Sequence, residues 1–196
     1  MKKSLILILF FTANFTFAQF SLKNPTAVSL NTGFFLPYSS EVFNTGVSIG
    51  MDIQHKISPA YLFFVINYNI SSRKEILPNQ YFNNTSGTGI LEVIGGVRLY
   101  FSESKNLKYF FDCGLGLYVE NKGSYEMRVD NVSYSYKGVS NGTIGGNIGV
   151  GADYPLNKDF DLVGRIKYHL YFGVGEDPFI NPYFGISAGL KYNIKF

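Results

Sequence analysis

Residues Pro182 to Phe196 read PYFGISAGLKYNIKF, and their alternation decides the fold. From Phe184 every second residue is apolar: Phe184, Ile186, Ala188, Leu190, Tyr192, Ile194 and Phe196. The intervening residues are small or polar: Gly185, Ser187, Gly189, Lys191, Asn193 and Lys195. Side chains alternate across a β-strand, so this stretch presents one apolar and one polar face. Its length exceeds that of an ordinary soluble strand, and an aromatic closes it. A tall apolar face ending in an aromatic girdle is what a membrane-crossing barrel strand requires.

Seven earlier stretches repeat the pattern. The expected strands are Thr26–Leu36, Phe43–His55, Ala60–Ile70, Thr88–Phe101, Leu107–Glu120, Gly142–Tyr154 and Phe160–Phe172, with Pro182–Phe196 as the eighth. Ala60–Ile70 is apolar on both faces around Leu62 to Ile66, which leaves its register open. Connections alternate in length, short after the second, fourth and sixth strands and longer after the others. That is the habit of outer-membrane barrels, with short periplasmic turns and long external loops. An even strand number puts both termini on the periplasmic side. The seven prolines fall at strand ends or in loops, as the ladder's need for N–H donors demands. Ten residues at ~3.3 Å rise and ~45° tilt cover about 23 Å, close to the apolar band of such barrels.

Composition agrees. Of 196 residues 46% are hydrophobic and only 16% charged, with 21 Gly, 19 Phe, 15 Tyr and no Trp, whereas soluble domains carry roughly 25% charge. A sandwich would show shorter strands and charged outer faces. A secreted lipocalin-type barrel is the competing soluble architecture. The fold class expected is therefore all-β, an eight-stranded antiparallel up-and-down transmembrane barrel occupying residues 19–196.

Met1 to Ala18, MKKSLILILFFTANFTFA, has basic Lys2 and Lys3, an apolar run from Leu5 to Phe11, and a small residue before Gln19. It reads as a secretory signal peptide cleaved after Ala18, since the apolar run is far short of the ~20 residues a spanning helix needs. Removing Lys2 and Lys3 leaves 15 basic against 14 acidic residues, a net charge of +1, so nucleic acid is not an expected partner. The single Cys113 cannot form an intramolecular disulfide and reads as a small apolar residue of the outer face.

With the apolar faces toward lipid, the inward ionisable residues are Asp52, Glu92, Arg98, Asp112, Glu120, Asp153, Asp161, Arg165, Lys167, His169, Lys191 and Lys195. Asp52, Arg98, Asp112, Asp153, Arg165 and Lys191 are expected in the periplasmic half. Eight strands enclose an interior just filled by side chains, and charges withdrawn from water need partners. The expected site is a lumen-plugging ion-pair network of Asp52, Glu92, Arg98, Asp112, Asp153, Arg165, Lys167, His169 and Lys191. The alternative function for the same residues is a narrow channel for ions or small solutes.

Catalysis is not expected. No serine stands two residues from His169 to serve as nucleophile for a lipid-acting enzyme, the third function weighed. No His or Cys spacing suits a metal. GTIGGNIGVG lacks the Lys-Ser/Thr ending of a phosphate loop. No cofactor is expected. Outside the barrel, Asn121 to Asn141 carries Tyr125, Arg128, Tyr134 and Tyr136, residue types that suit contact with an extracellular ligand or envelope partner. SYEMRV and VSYSYK around Asp130-Asn131 read as a β-hairpin extending the barrel outward.

On these residues the chain resembles the small outer-membrane β-barrel proteins of Gram-negative bacteria, the OmpA-like or opacity-type eight-stranded domain. The resemblance is one of pattern over Gln19 to Phe196. The Phe-rich leader and Asn/Lys/Phe/Tyr-heavy composition resemble the Bacteroidota branch. It implies residence in outer-membrane lipid. It also implies insertion by the barrel-assembly machinery, with Tyr192, Ile194 and Phe196 similar to the C-terminal assembly signal. No peptidoglycan-binding domain follows Phe196, so the tethering role of longer relatives is not expected.

Overall fold

The computed structural model describes residues 24–37, 43–74, 80–83, 87–103, 107–129, 132–172 and 180–194. Eleven strands follow in chain order: β1 (Thr26–Pro37), β2 (Gly46–Lys56), β3 (Tyr61–Ser71), β4 (Gln80–Asn83), β5 (Thr88–Glu103), β6 (Lys108–Lys122), β7 (Tyr125–Val129), β8 (Val132–Tyr136), β9 (Val139–Pro155), β10 (Phe160–Phe172) and β11 (Ile180–Ile194). Eight of them, β1, β2, β3, β5, β6, β9, β10 and β11, form a closed barrel in which every strand pairs antiparallel with its neighbours. β1 against β11 closes it, from Thr26↔Ile194 to Pro37↔Tyr183. Closure leaves no sheet edge, so each wall strand satisfies its backbone within the protein, which hydrocarbon demands.

The period-two alternation sorts the wall. Large apolar side chains stand exposed on every barrel strand, among them Leu30, Ile49, Phe64, Leu99, Leu115, Ile144, Ile166 and Ile186, with Leu115 at 72% and Leu30 at 68%. Soluble monomers seldom expose a contiguous apolar patch beyond a few hundred Å². A belt on all eight strands suits a bilayer and is the transmembrane barrel expected. Cys113 is exposed on this outer face.

The interior is not uniformly polar. Phe35, Phe63, Val65, Ile90, Ile94, Phe110 and Val163 are buried inside. Several rings lie over glycines of adjacent strands. A side chain at Gly46 would overlap the Phe35 ring, one at Gly96 the Phe63 ring, and one at Gly151 the Phe110 ring. The many inward glycines are thus the floor on which aromatics fill a narrow lumen, which must be packed like any core. In β3 the open register resolves with Phe63 and Val65 inward and Phe64 and Ile66 outward.

Several boundaries differ from the sequence reading. β2 begins at Gly46, not Phe43; Phe43 makes only an isolated bridge to Arg73. β9 begins at Val139, because its ladder with β6 continues to Lys122↔Val139. Pro182 lies inside β11, opposite Leu170. It sits two residues from the strand's start, at the rim. β5 carries an irregularity between Tyr100 and Ser102. The long connection between the third and fourth expected strands contains β4. β4, β7 and β8 form a separate three-stranded sheet in that order. The expected hairpin is present as β7 and β8, with Asp130-Asn131 outside the described residues. Met1–Ala18, Lys195 and Phe196 also lie outside them.

Candidate functional site

Two buried polar layers fill the lumen. The larger lies toward the short connections. β5 descends and places Arg98 opposite Asp112 at the start of β6. Arg98 Nε donates to Asp112 Oδ1 at 2.7 Å and Nη2 to Oδ2 at 2.9 Å, while Nη1 donates to Gln54 Oε1 at 2.6 Å. The planar fork of arginine fits a carboxylate in this two-bond geometry. The Phe110 ring lies 4.1 Å from the guanidinium carbon. Lys167 Nζ approaches the same carboxylate at 3.3 Å.

Beside this group Arg165 pairs with Asp52. Ser29 joins the two: its hydroxyl donates to Asp52 Oδ1 at 2.7 Å and accepts from Arg165 Nη2 at 3.0 Å. Lower still, Lys191 pairs with Asp153 and, at 2.8 Å, with Asp161. Tyr100 donates its hydroxyl to Asp153 at 2.6 Å, and Asn193 donates to Asp161 at 3.1 Å. The layer holds Arg98, Arg165, Lys167 and Lys191 against Asp52, Asp112, Asp153 and Asp161, all buried. Four cations face four carboxylates, so burial leaves no net charge to be solvated.

The second layer lies toward the long loops. Glu92 accepts hydrogen bonds from Asn69, from Asn67 at 3.3 Å and from the Tyr183 hydroxyl. His169 Nδ1 stands 3.6 Å from Glu92 Oε2 and 3.1 Å from the Tyr118 hydroxyl. Its ring stacks on Tyr183, centroids 4.4 Å apart, and Tyr118 stacks on Tyr171 at 5.3 Å. Glu92 and His169 therefore belong to a separate aromatic-walled cluster and not to the arginine layer. Glu120, also inward by parity, sits at the rim 3.5 Å from Lys122.

Between the layers lies a cavity of about 40 Å³ lined by Asn31, Ser48, Asn67, Glu92, Arg165 and Lys167 among others. That is room for a few waters with polar partners. On the far side of the arginine layer a vestibule of about 500 Å³ opens at the short-connection end, bordered by Gln54, Lys56, Tyr100, Lys108, Asp161 and Lys191. Among the described residues no group of three or more His, Cys, Asp and Glu is placed to hold a metal.

Neutral residues complete the two layers: Ser29, Gln54, Asn67, Asn69, Tyr118, Tyr171 and Tyr183, none of which a search for inward charges singles out. Tyrosine has an apolar body and a polar tip, so polarity alone does not assign it a face. Parity does. Tyr118 is in step with Asp112, Tyr171 with His169, and Tyr183 with Gly185.

Outside the wall, the ladder running from Lys108↔Asp153 to Lys122↔Val139 resumes at Tyr125↔Tyr136 without a change of register. The hairpin thus continues the β6–β9 pair beyond the rim. Tyr125 stacks on Tyr136 at 4.6 Å, and the Arg73 guanidinium lies 3.8 Å from the Tyr125 ring. Tyr134 stands opposite Met127 on the same face, whereas Arg128, opposite Ser133, is on the other. The candidate loop residues therefore divide between two faces. Tyr192 is exposed on the outer wall, its ring 5.2 Å from that of Phe160. Ile194 pairs with Thr26.

No family model and no curated protein matches the chain. Among solved structures it is similar to Neisserial surface protein A, with a TM-score of 0.57 and 16% identity over 86% of this chain and 97% of that one. A major outer membrane protein from Thermus thermophilus gives 0.57 and 14% over 86% and 99%. Ail, the attachment invasion locus protein of Yersinia pestis, in complex with the heparin analogue sucrose octasulfate, gives 0.53 and 8% over 88% and 100%. The organisms of these neighbours lend no support to the Bacteroidota source suggested by composition. At such identities the likeness is one of fold, and the fold shared is that of small outer-membrane β-barrels.

Proposed function

We propose that this chain is an integral outer-membrane barrel that acts as a scaffold, with its lumen closed by ion pairs and its β4–β7–β8 sheet presented to the exterior. The observation that carries this reading is the inversion of the ordinary protein plan. The outer wall is apolar on all eight strands, while four cations and four carboxylates pair inside. A closed lumen leaves the wall as support and the external sheet as the working surface. His169 is held among Tyr118, Tyr183 and Glu92, which suits a structural role over an enzymatic one. The leader Met1–Ala18, periplasmic termini and the gripping of Tyr192, Ile194 and Phe196 by the assembly machinery belong to the same proposal.

Fractionation tests location. The protein is expected in the outer-membrane fraction with Gln19 as its first residue by mass, and Phe196→Ser is expected to lower the amount recovered there. Recovery from the soluble fraction without detergent would overturn the membrane reading.

The second reading, a narrow channel, draws on the cavity and vestibule that flank the arginine layer. Planar-bilayer recording separates the two. The scaffold reading expects no reproducible open level for the unmodified protein. A steady conductance that vanishes when Arg98 or Arg165 is neutralised would establish the channel instead.

A further inference from the structure

Among the described residues the external sheet has two outer edges, one on β4 and one on β8, and the side chains of β8 are exposed along its whole length. Among the described residues β8 pairs only with β7. Its five residues, Val132-Ser133-Tyr134-Ser135-Tyr136, are all exposed and include neither charge nor proline. Edge strands that must stay single are usually blunted by a charge, a proline or a bulge. This one carries none of them.

Its backbone polarity can be read from the hairpin. Two residues separate Val129 from Val132, and in such a hairpin the flanking residues form a hydrogen-bonded pair. Val132, Tyr134 and Tyr136 therefore direct their N–H and C=O groups to β7. Ser133 and Ser135 direct theirs away, to the open edge. The segment reads Ser-Tyr-Ser in either direction about Tyr134, so an antiparallel copy centred there sets Ser133 against the partner's Ser135. That register engages the outward-pointing groups of both strands in four hydrogen bonds. It also puts Tyr134 beside the partner's Tyr134 at a non-hydrogen-bonded position, where strands approach most closely. Val132 falls beside the partner's Tyr136. No like charges meet within the paired segment, and an isologous contact of this kind closes as a dimer.

We propose that β8 pairs antiparallel with β8 of a second copy of this chain, in register about Tyr134, to form a six-stranded sheet across two molecules that meet head to head. The two-fold axis of such a pair runs across strands that continue the barrel wall. This deepens the scaffold reading by naming the partner, and it rests on that reading only for the exposure of the hairpin outside the membrane.

The test uses the full mature chain in detergent micelles, in a Cys113→Ser background that removes the one native cysteine. Cysteine is introduced singly as Ser133→Cys, Tyr134→Cys or Ser135→Cys. Under mild oxidation the Tyr134→Cys variant is expected to form a disulfide-linked dimer at least an order of magnitude faster than the other two, since only position 134 meets itself. Equal rates at the three positions, or no dimer from Tyr134→Cys, would overturn the proposal. Ser135→Pro removes an edge donor without touching the β7 ladder. It is expected to abolish the dimer by sedimentation while far-UV circular dichroism shows the barrel intact; a dimer that persists overturns the register. An extended peptide of another protein as the true occupant would leave this chain monomeric in both assays. Loss of the dimer would leave the fractionation and conductance results unaffected, so the two readings fail separately.

Discussion

Replacing Arg98 with leucine is expected to destabilise the folded barrel by about 3–5 kcal/mol, the cost of leaving a buried charge without its partner. The guanidinium is fully buried and makes three hydrogen bonds, two to Asp112 and one to Gln54. Its removal leaves Lys167, at 3.3 Å, as the nearest cation to the Asp112 carboxylate among the described residues. Gln54 loses its donor as well. The measurement is the shift in denaturant midpoint of the refolded barrel in micelles at constant slope. The double variant Arg98→Leu/Asp112→Leu is expected to recover part of the loss. It restores the balance of charge but strips Lys167 of its carboxylate. A single variant within about 0.5 kcal/mol of the unmodified protein, the range of an uneventful surface change, would mean that water reaches Asp112. The lumen would then not be sealed at this layer, and the closed-scaffold reading would fall with it.

The second large effect concerns the opposite face. Ile166 lies at the middle of β10, exposed outward, between Val150 of β9 and Ile186 of β11, which are exposed too. Ile166→Arg is expected to cost about 2–4 kcal/mol in a lipid bilayer, as arginine does at the midplane of a barrel wall. Leu156→Arg, at an exposed position in the short connection after β9, is expected to cost no more than about 1 kcal/mol, because it meets the interface. Equilibrium folding into vesicles reads both. Equal small costs at the two positions would show that the belt around Ile166 does not face hydrocarbon.

Much of this was legible in the chain. Phe184, Ile186, Leu190 and Tyr192 announce a lipid-facing row, and Gly185, Ser187 and Lys191 the row behind it. The same reasoning put Asp52, Arg98, Asp112, Asp153, Arg165 and Lys191 inside. It also found the β7–β8 hairpin from two alternating runs around a short turn. It did not find β4, whose four residues have no alternation of their own and are ordered by pairing with β7. It left Glu92 and His169 out of the set expected in the periplasmic half, yet still joined them to it in a single network where the structure has two clusters. Both face inward, and their distance from Asp112 depends on strand stagger that no single strand encodes. The inward aromatics were hidden for a related reason. A ring such as Phe35 is tolerated inside because Gly46 on the adjacent strand makes room, and that adjacency is not visible along either strand alone.

The sequence by itself determined which side of the wall each side chain occupies, because the two-residue period of a strand is a local property of the backbone. The tertiary structure alone decided which inward groups meet: Arg98 with Asp112 and Gln54, Arg165 with Asp52 through Ser29, Lys191 with Asp153 and Asp161. The physical reason is that partners across a closed barrel are set by strand order, tilt and stagger together, and all eight strands must be in place before any of these contacts exists.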